Sequence, residues 1–133
     1  MADVIRQTVT LKASPNELFE TFLDSKKHEA ATGAPAEINR EPGGSFKAFG
    51  GAIWGKTLYV APNRMIVQSW RSTNFKPGDP DSILILQFSK AKGGGKIDLT
   101  HVNVPVQDRR GVTKGWPDYY WKPWKAYLAK IKK

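Results

Sequence analysis

The most constraining feature of this sequence is a change of hydrophobic period near residue 113. From Ala36 to about Val106, apolar residues recur at every second position, and turns rich in glycine or proline interrupt them at hairpin distances. This pattern predicts a meander of consecutive antiparallel strands. From about Thr113 the period is helical, and the chain should end in one long amphipathic helix. Its apolar face is expected to carry Trp116, Tyr119, Tyr120, Pro123, Trp124, Tyr127 and Ile131, with Pro123 removing one backbone hydrogen bond.

The N-terminal part of the chain predicts one strand and two short helices. Apolar and polar residues alternate over residues 4–12, as they do in a half-buried strand. Ser14 followed by Pro15 and Glu17 has the form of a capped helix N-terminus. A second short helix is expected over residues 25–32.

The order of these elements predicts the fold class. A strand, two helices, about six further strands and a terminal helix form an α+β chain in which a curved antiparallel sheet needs an apolar cover. The aromatic helix is long enough to provide that cover. We therefore predict a helix-grip arrangement, with about six or seven strands wrapped around the C-terminal helix and two short helices after the first strand. The length of 133 residues suits a single domain spanning residues 1–133, and the space beneath such a helix can hold a small apolar ligand.

Composition argues against several classes of function. The 21 Lys and Arg residues outnumber the 12 Asp and Glu residues and give a net charge of +9, but they are spread along the chain. No nucleic-acid-binding motif accompanies them, so we expect no specific nucleic-acid partner. Cysteine is absent and histidine occurs only as His28 and His101, so we expect no metal and no cofactor. No apolar run approaches the roughly 20 residues of a bilayer span, and no signal peptide is evident. We expect no membrane insertion and a cytoplasmic location.

His101 is the single residue with the most interesting position. In the segment IDLTHVNVP, strand alternation places Ile97, Leu99, His101 and Asn103 on one face, which is the core face if the two aliphatic side chains point inward. An imidazole there could hydrogen-bond a ligand or act as an acid or base. It could equally be a core histidine satisfied by a neighbouring hydroxyl or carbonyl.

Aromatic side chains are the other candidates for a binding site. Trp54, Trp70 and Phe88 lie on predicted strands, and they could either line a pocket or fill it completely. No phosphate-binding loop and no serine–histidine–acid set is present, so no catalytic residue is predicted. The candidate ligand-binding residues are Trp54, Trp70, Phe88, His101, Trp116, Tyr120 and Tyr127.

Several segments resemble a known family. They are ASPNELFETF, TGAPAEI, GGSF, IVQSWR, THVNVP and, above all, GWPDYYWKPWKAYL. In this order they resemble the activator of heat-shock-protein-90 ATPase homologue-like family of the START-like (SRPBCC) superfamily. The resemblance covers nearly the whole chain and implies a helix-grip fold with a cavity between the C-terminal helix and the sheet. The superfamily includes lipid carriers, polyketide cyclases, hormone receptors and chaperone activators, so the fold leaves the function open.

Three functional hypotheses remain at this stage. The first is a domain that binds an apolar or aromatic small molecule without chemistry of its own and is linked to a chaperone or to stress. The second is a cyclase-like or hydrolase-like enzyme in which His101 works with Tyr120 or Tyr127. The third is a protein-interaction module with an exposed patch containing Trp121 and Leu128. The candidate partners are an apolar small molecule and a chaperone, and a monomer or weak homodimer is expected.

Overall fold

Seven antiparallel strands form one sheet in the order β1-β7-β6-β5-β4-β3-β2. The computed structural model describes residues 4–131. Each strand from β2 to β6 pairs with the next strand along the chain, which confirms the predicted meander, and β1 joins the sheet beside β7. Their bounds are β1 Val4–Leu11, β2 Ala36–Ile38, β3 Ser45–Ala48, β4 Ile53–Ala61, β5 Met65–Ser72, β6 Ser82–Ala91 and β7 Gly94–Val102.

Two short helices follow β1, as the sequence predicts. Helix α1 spans Pro15–Leu23 and begins with a capping box, in which Ser14 and Glu17 each accept a hydrogen bond from the other residue's backbone N–H. Helix α2 spans Ser25–Thr32 and ends at Gly33, whose φ of 81° suits a residue without a Cβ atom.

The C-terminal helix starts earlier than predicted. It comprises α3 over Val106–Gly115, a π-helical segment over Trp116–Trp121 and α4 over Lys122–Ile131. The predicted start at Thr113 is wrong because β7 ends at Val102, and Asn103 then takes a left-handed φ of 67° that turns the chain. Asn103 therefore does not share the inward strand face of His101 and is exposed.

The π-helical segment determines which helix face is buried. In a regular α-helix, residues four apart drift by about 40° around the axis. Here the Lys122 N–H bonds the carbonyl of Pro117, five residues back, and this wider turn offsets the drift. The Trp116 and Trp121 rings consequently stack at 5.7 Å. Residues at a spacing of four stay buried along the helix, namely Val112, Trp116, Tyr120, Trp124 and Leu128.

Two sequence predictions about this helix need correction for that reason. Trp121 and Leu128, expected in an exposed patch, are only 5% and 1% exposed and belong to the core. Tyr119 and Ile131, expected on the apolar face, are 63% and 51% exposed.

One continuous hydrophobic core lies between the concave face of the sheet and the helices. The sheet contributes buried aliphatic side chains from β6 and β7, such as Leu86 and Leu99, and α1 contributes Leu18. Trp124 of α4 is completely buried against this layer. The α4 part of the helix therefore buries its inward side chains in the core and packs against α2, and the end of the interface near α3 is built differently.

Candidate functional site

A cleft of about 470 Å³ opens between the C-terminal helix and the ends of β4 and β5. We call it the helix–sheet cleft. Its walls are mainly apolar and its far end is polar, where Ser72, Asn74 and Asp108 meet. The apolar walls are formed by Phe49, Ile53, Trp70, Val112, Trp116 and Tyr119.

Phe49 forms one rim of the helix–sheet cleft in a strained backbone conformation. It begins a short 3-10 turn over Phe49–Gly51 and has a φ of 53°, which is unusual for a bulky residue. Gly50, which follows it, is also left-handed and can be so without a steric penalty. The turn directs the Phe49 ring towards the helix, 6.0 Å from the Tyr119 ring and 5.5 Å from the Tyr120 ring in edge-to-face contacts.

Asp108 forms the polar end of the helix–sheet cleft. It lies in the first turn of α3 and is only 4% exposed. The Ser72 hydroxyl donates to Oδ2 at 2.6 Å, and the Asn74 side-chain amide donates to Oδ1 at 2.9 Å. Both donors lie where β5 runs into the following loop, so the carboxylate joins that loop to the helix.

His101 lies behind the wall of the helix–sheet cleft rather than in it. The Trp116 indole N–H donates to Nδ1 at 3.2 Å, so Nδ1 must be unprotonated and Nε2 carries the proton. Nε2 then donates to the Ser82 hydroxyl at 2.9 Å, and that hydroxyl donates to the carbonyl of Trp70 at 2.6 Å. Burial lowers the pKa of His101 to about 3, which keeps the ring neutral. This geometry favours a core histidine over an acid or base, because both nitrogens already have partners.

His28 makes a second buried link that the sequence did not suggest. Its Nδ1 donates to the carbonyl of Phe22 at 2.8 Å, so Nε2 accepts the hydrogen bond from the Tyr120 hydroxyl at 3.0 Å. Burial lowers the pKa of His28 and raises the pKa of Tyr120 far above its usual range. Tyr120 therefore uses its hydroxyl to hold α2 against the C-terminal helix.

The structure brings some of the predicted site residues together and separates others. Trp70, Trp116 and Tyr120 line the helix–sheet cleft, and His101 supports Trp116 from behind. Phe88 is buried elsewhere in the core, with its ring 5.7 Å from that of Phe19.

Tyr127 and Trp54 also lie outside the helix–sheet cleft. Tyr127 packs half-buried against the core from α4, beyond the cleft. Trp54 lies on the outer face of the sheet and is 37% exposed, because its register places it opposite Lys47 and Arg71, while its neighbour Ile53 lines the cleft.

Asp108, Phe49 and Tyr119 are among the cleft residues that the sequence prediction missed. Asp108 follows Pro105 at the start of a helix, where an acidic residue in the first turn is a recognisable signal. The expected helix start at Thr113 concealed that signal. Phe49 and Tyr119 had none, because the Phe49 turn and the π-helical segment only acquire their directions in the folded chain.

Residues 4–131 contain no group of three or more His, Cys, Asp or Glu side chains arranged to hold a metal ion. No helix in this part of the chain combines the length and the apolar composition that a membrane span requires.

The sheet wrapped around a C-terminal helix, with two short helices after the first strand, defines the helix-grip, START-like class of proteins. The family model described as "Activator of Hsp90 ATPase homolog 1-like protein" matches residues 12–129. The chain belongs to this family.

Sequence relatives agree with this assignment, and a solved structure has the same fold. An uncharacterised protein of Schizosaccharomyces pombe is 32% identical over 94% of this chain and 37% of its own length. The activator of 90 kDa heat shock protein ATPase homolog 1 of Homo sapiens is 27% identical over 85% of this chain and 33% of its own length. The crystal structure of an HSP90 activator from Plasmodium falciparum has a TM-score of 0.84 at 24% identity and covers 96% of this chain and 97% of that chain. The chain thus spans about a third of the length of these two curated relatives.

Proposed function

We propose that the chain binds a flat, largely apolar small molecule in the helix–sheet cleft. The observation that carries this proposal is an opening of about 470 Å³ with walls that include Trp70, Trp116 and Phe49. Ligand sites typically measure roughly 300–1,000 Å³ and have apolar and aromatic walls.

The proposal describes a binding domain without chemistry of its own. His101, the residue on which the enzyme hypothesis depended, is completely buried and bonds Ser82 and Trp116 through its two ring nitrogens. Acid–base catalysis by His101 would need its ring within hydrogen-bond reach of the substrate, and His101 is not among the residues that line the cleft. The cytoplasmic location expected from the sequence remains part of the proposal.

A cleft-filling variant tests ligand binding. Gly111 lines the helix–sheet cleft, and a Cβ atom added there would come no closer than 3.5 Å to Asp108 Oδ1, an ordinary contact. Gly111→Leu should therefore fill the cleft and strengthen the helix, because leucine has the higher helix propensity. Lys114→Leu, at an exposed position of α3 outside the cleft lining, is the matched control.

The measurement is an NMR titration of the ¹⁵N-labelled chain with indole. We expect saturable shifts at Val112 and Trp116 in the wild type and in Lys114→Leu, and none in Gly111→Leu. Loss of binding in a variant that is at least as stable as the wild type cannot come from unfolding. Equal binding by all three chains, or no binding by the wild type, would contradict the proposal.

Contact with a chaperone is a second candidate function. It is motivated by relatives whose names describe activators of the 90 kDa heat shock protein ATPase. The outer face of β4 carries exposed Trp54, Leu58 and Tyr59, which we call the β4 patch, and the exposed Lys47 and Lys56 flank it. An exposed apolar cluster is typical of interaction sites, and the net charge of +9 favours an acidic partner.

Interferometry with purified 90 kDa heat shock protein, combined with its ATP hydrolysis rate, tests this contact. The double variant Trp54→Gln/Leu58→Gln should weaken binding by about tenfold or more if both side chains become buried in the complex. Val106→Gln removes another exposed apolar side chain, at the start of α3, and should bind like the wild type. Equal binding by the double variant would exclude the β4 patch, and no binding by the wild type would exclude the contact itself.

A further inference from the structure

The helix–sheet cleft is chemically asymmetric. Aromatic and aliphatic side chains form most of its wall, and Asp108 is the one acidic or basic residue, among those that the structure describes, in its lining. The carboxylate therefore lies next to any molecule that occupies the apolar part of the cleft. This inference rests on the proposed function and asks which class of ligand the site accepts.

The side-chain donors around Asp108 bring no formal positive charge, and the N-terminus of α3 provides only a partial one. Ser72 donates to Oδ2 and Asn74 donates to Oδ1, and both are neutral donors. A carboxylate offers about four lone-pair sites, so each oxygen can accept a further hydrogen bond. Holding the loop therefore uses only some of the hydrogen-bond acceptor sites of the carboxylate.

Burial makes a positively charged ligand favourable at this end. Asp108 is 4% exposed, and removing a carboxylate from water is costly unless an opposite charge or several donors compensate it. An ammonium group supplies both charge and donors, and hydrogen bonds between charged groups are about twice as strong as neutral ones.

The walls suit the same ligand. Trp70, Trp116 and Tyr119 offer aromatic faces that pack against a flat ring and also attract a cation. The chain as a whole carries a charge of +9 and repels cations at long range. A preference for a cationic ligand must therefore come from the cleft itself.

We propose that the helix–sheet cleft binds arylalkylamines, with the ring between the aromatic walls and the protonated alkylamine on the Asp108 carboxylate. The required ligand is an organic monocation with one flat ring system and a short amine-bearing arm. An aromatic carboxylate of the same size should be rejected, because its charge would meet that of Asp108 in a poorly solvated site.

Three indoles of matched shape test this proposal by calorimetry or NMR at physiological salt. Tryptamine carries a protonated amine at neutral pH, tryptophol replaces the amine with a neutral hydroxyl, and indole-3-acetate carries a negative charge. Tryptamine should bind about tenfold or more tightly than tryptophol, and indole-3-acetate should bind most weakly.

Paired variants assign the preference to one carboxylate. Asp108→Asn should bring the affinities of tryptamine and tryptophol to within about twofold of each other, because the charge is lost at nearly constant shape. Asp98→Asn makes the same change of net charge on the outer face of β7 and should retain the wild-type preference.

The outcomes separate this inference from the proposed function. Equal binding of tryptamine and tryptophol by the wild type would overturn the amine inference and leave small-molecule binding in place. No binding of any indole would overturn both. A preference for tryptamine that survives in Asp108→Asn would also overturn the assignment. If Asp108→Asn fails to fold, the wild-type comparison still decides whether the cleft selects a cation.

Discussion

The two ends of the C-terminal helix face the same sheet but meet it in different ways. Over α4, Trp124 and Leu128 are buried in the continuous core, and the interface is filled. Over α3, Val112 and Asp108 border an opening of about 470 Å³. Aromatic side chains occur at both ends, so aromatic content does not decide whether the side chains fill the interface or line a cleft. The difference is that α1 and α2 form an additional packing layer at the α4 end.

Two buried histidines mark the transition between these ends. His101 accepts from Trp116, and His28 accepts from Tyr120, one helical turn further along. Each link fixes an aromatic ring that has the core on one side and the helix–sheet cleft on the other. The open end therefore has walls held by hydrogen bonds as well as by packing.

The largest effect should come from emptying the filled end. Trp124→Ala removes a completely buried indole and should lower the free energy of unfolding by about 3 to 5 kcal/mol. Lys125→Ala, at the exposed neighbouring position, should change it by less than about 0.5 kcal/mol. Urea unfolding at pH 7 measures both, and similar losses in the two variants would contradict the assigned helix face.

The second-largest effect should be a loss of stability in acid, caused by protonation of the two buried histidines. Burial lowers the pKa of His101 to about 3 and also lowers the pKa of His28, so the folded chain resists protons that the unfolded chain binds below about pH 6.5. The stability that the neutral histidines contribute is therefore fully present above that pH. It is lost as the pH falls towards their pKa values in the folded chain. His101 alone should account for about 2 kcal/mol between pH 7 and pH 5.

Urea unfolding in steps across this range tests the acid effect. The range from pH 5 to pH 7 lies above the pH at which most carboxylates titrate, and the chain has only two histidines. A loss of stability in this range therefore reports mainly on the histidines. His101→Gln should show a shallower loss than the wild type. A stability that stays level from pH 7 to pH 5 would show that the histidines are not held neutral.

A smaller effect should follow from breaking one histidine link. Tyr120→Phe keeps the ring but leaves Nε2 of His28 buried without its donor, which should cost about 1 to 3 kcal/mol. Tyr119→Phe removes the hydroxyl of the exposed neighbour and should cost less than about 0.5 kcal/mol. Chemical denaturation compares them, and equal costs would remove the role assigned to the buried link.

The smallest effects should differ in sign between the two ends. Gly111→Ala places a methyl group in ordinary contact within the helix–sheet cleft and should stabilise the helix by about 0.5 to 1 kcal/mol. Gly95→Ala would bring its methyl group to 2.7 Å from the backbone carbonyl oxygen of Ala13 and 2.8 Å from Leu18 Cδ1, so it should be destabilising. Thermal unfolding distinguishes the two, and destabilisation by both would show that the cleft has no room.

Local patterns in the sequence predicted most of the framework. The capping box of Ser14 and Glu17, the helix end at Gly33 and the meander of strands depend on residues only a few positions apart. The inward position of His101 followed from alternation with Ile97 and Leu99. Such features are legible because the backbone repeats of helices and strands are short.

Contacts between distant segments decided the site. Trp54 and Ile53 are adjacent apolar residues, and only the register with β3 and β5 determines which of them faces inward. The π-helical turn rotates Trp121 and Leu128 into the core, which a regular helix period does not anticipate. Asp108 meets Ser72 and Asn74 across more than 30 positions of the chain. The sequence by itself determined the elements and their order. The packing of distant segments against one another determined which side chains fill the interface and which line the cleft.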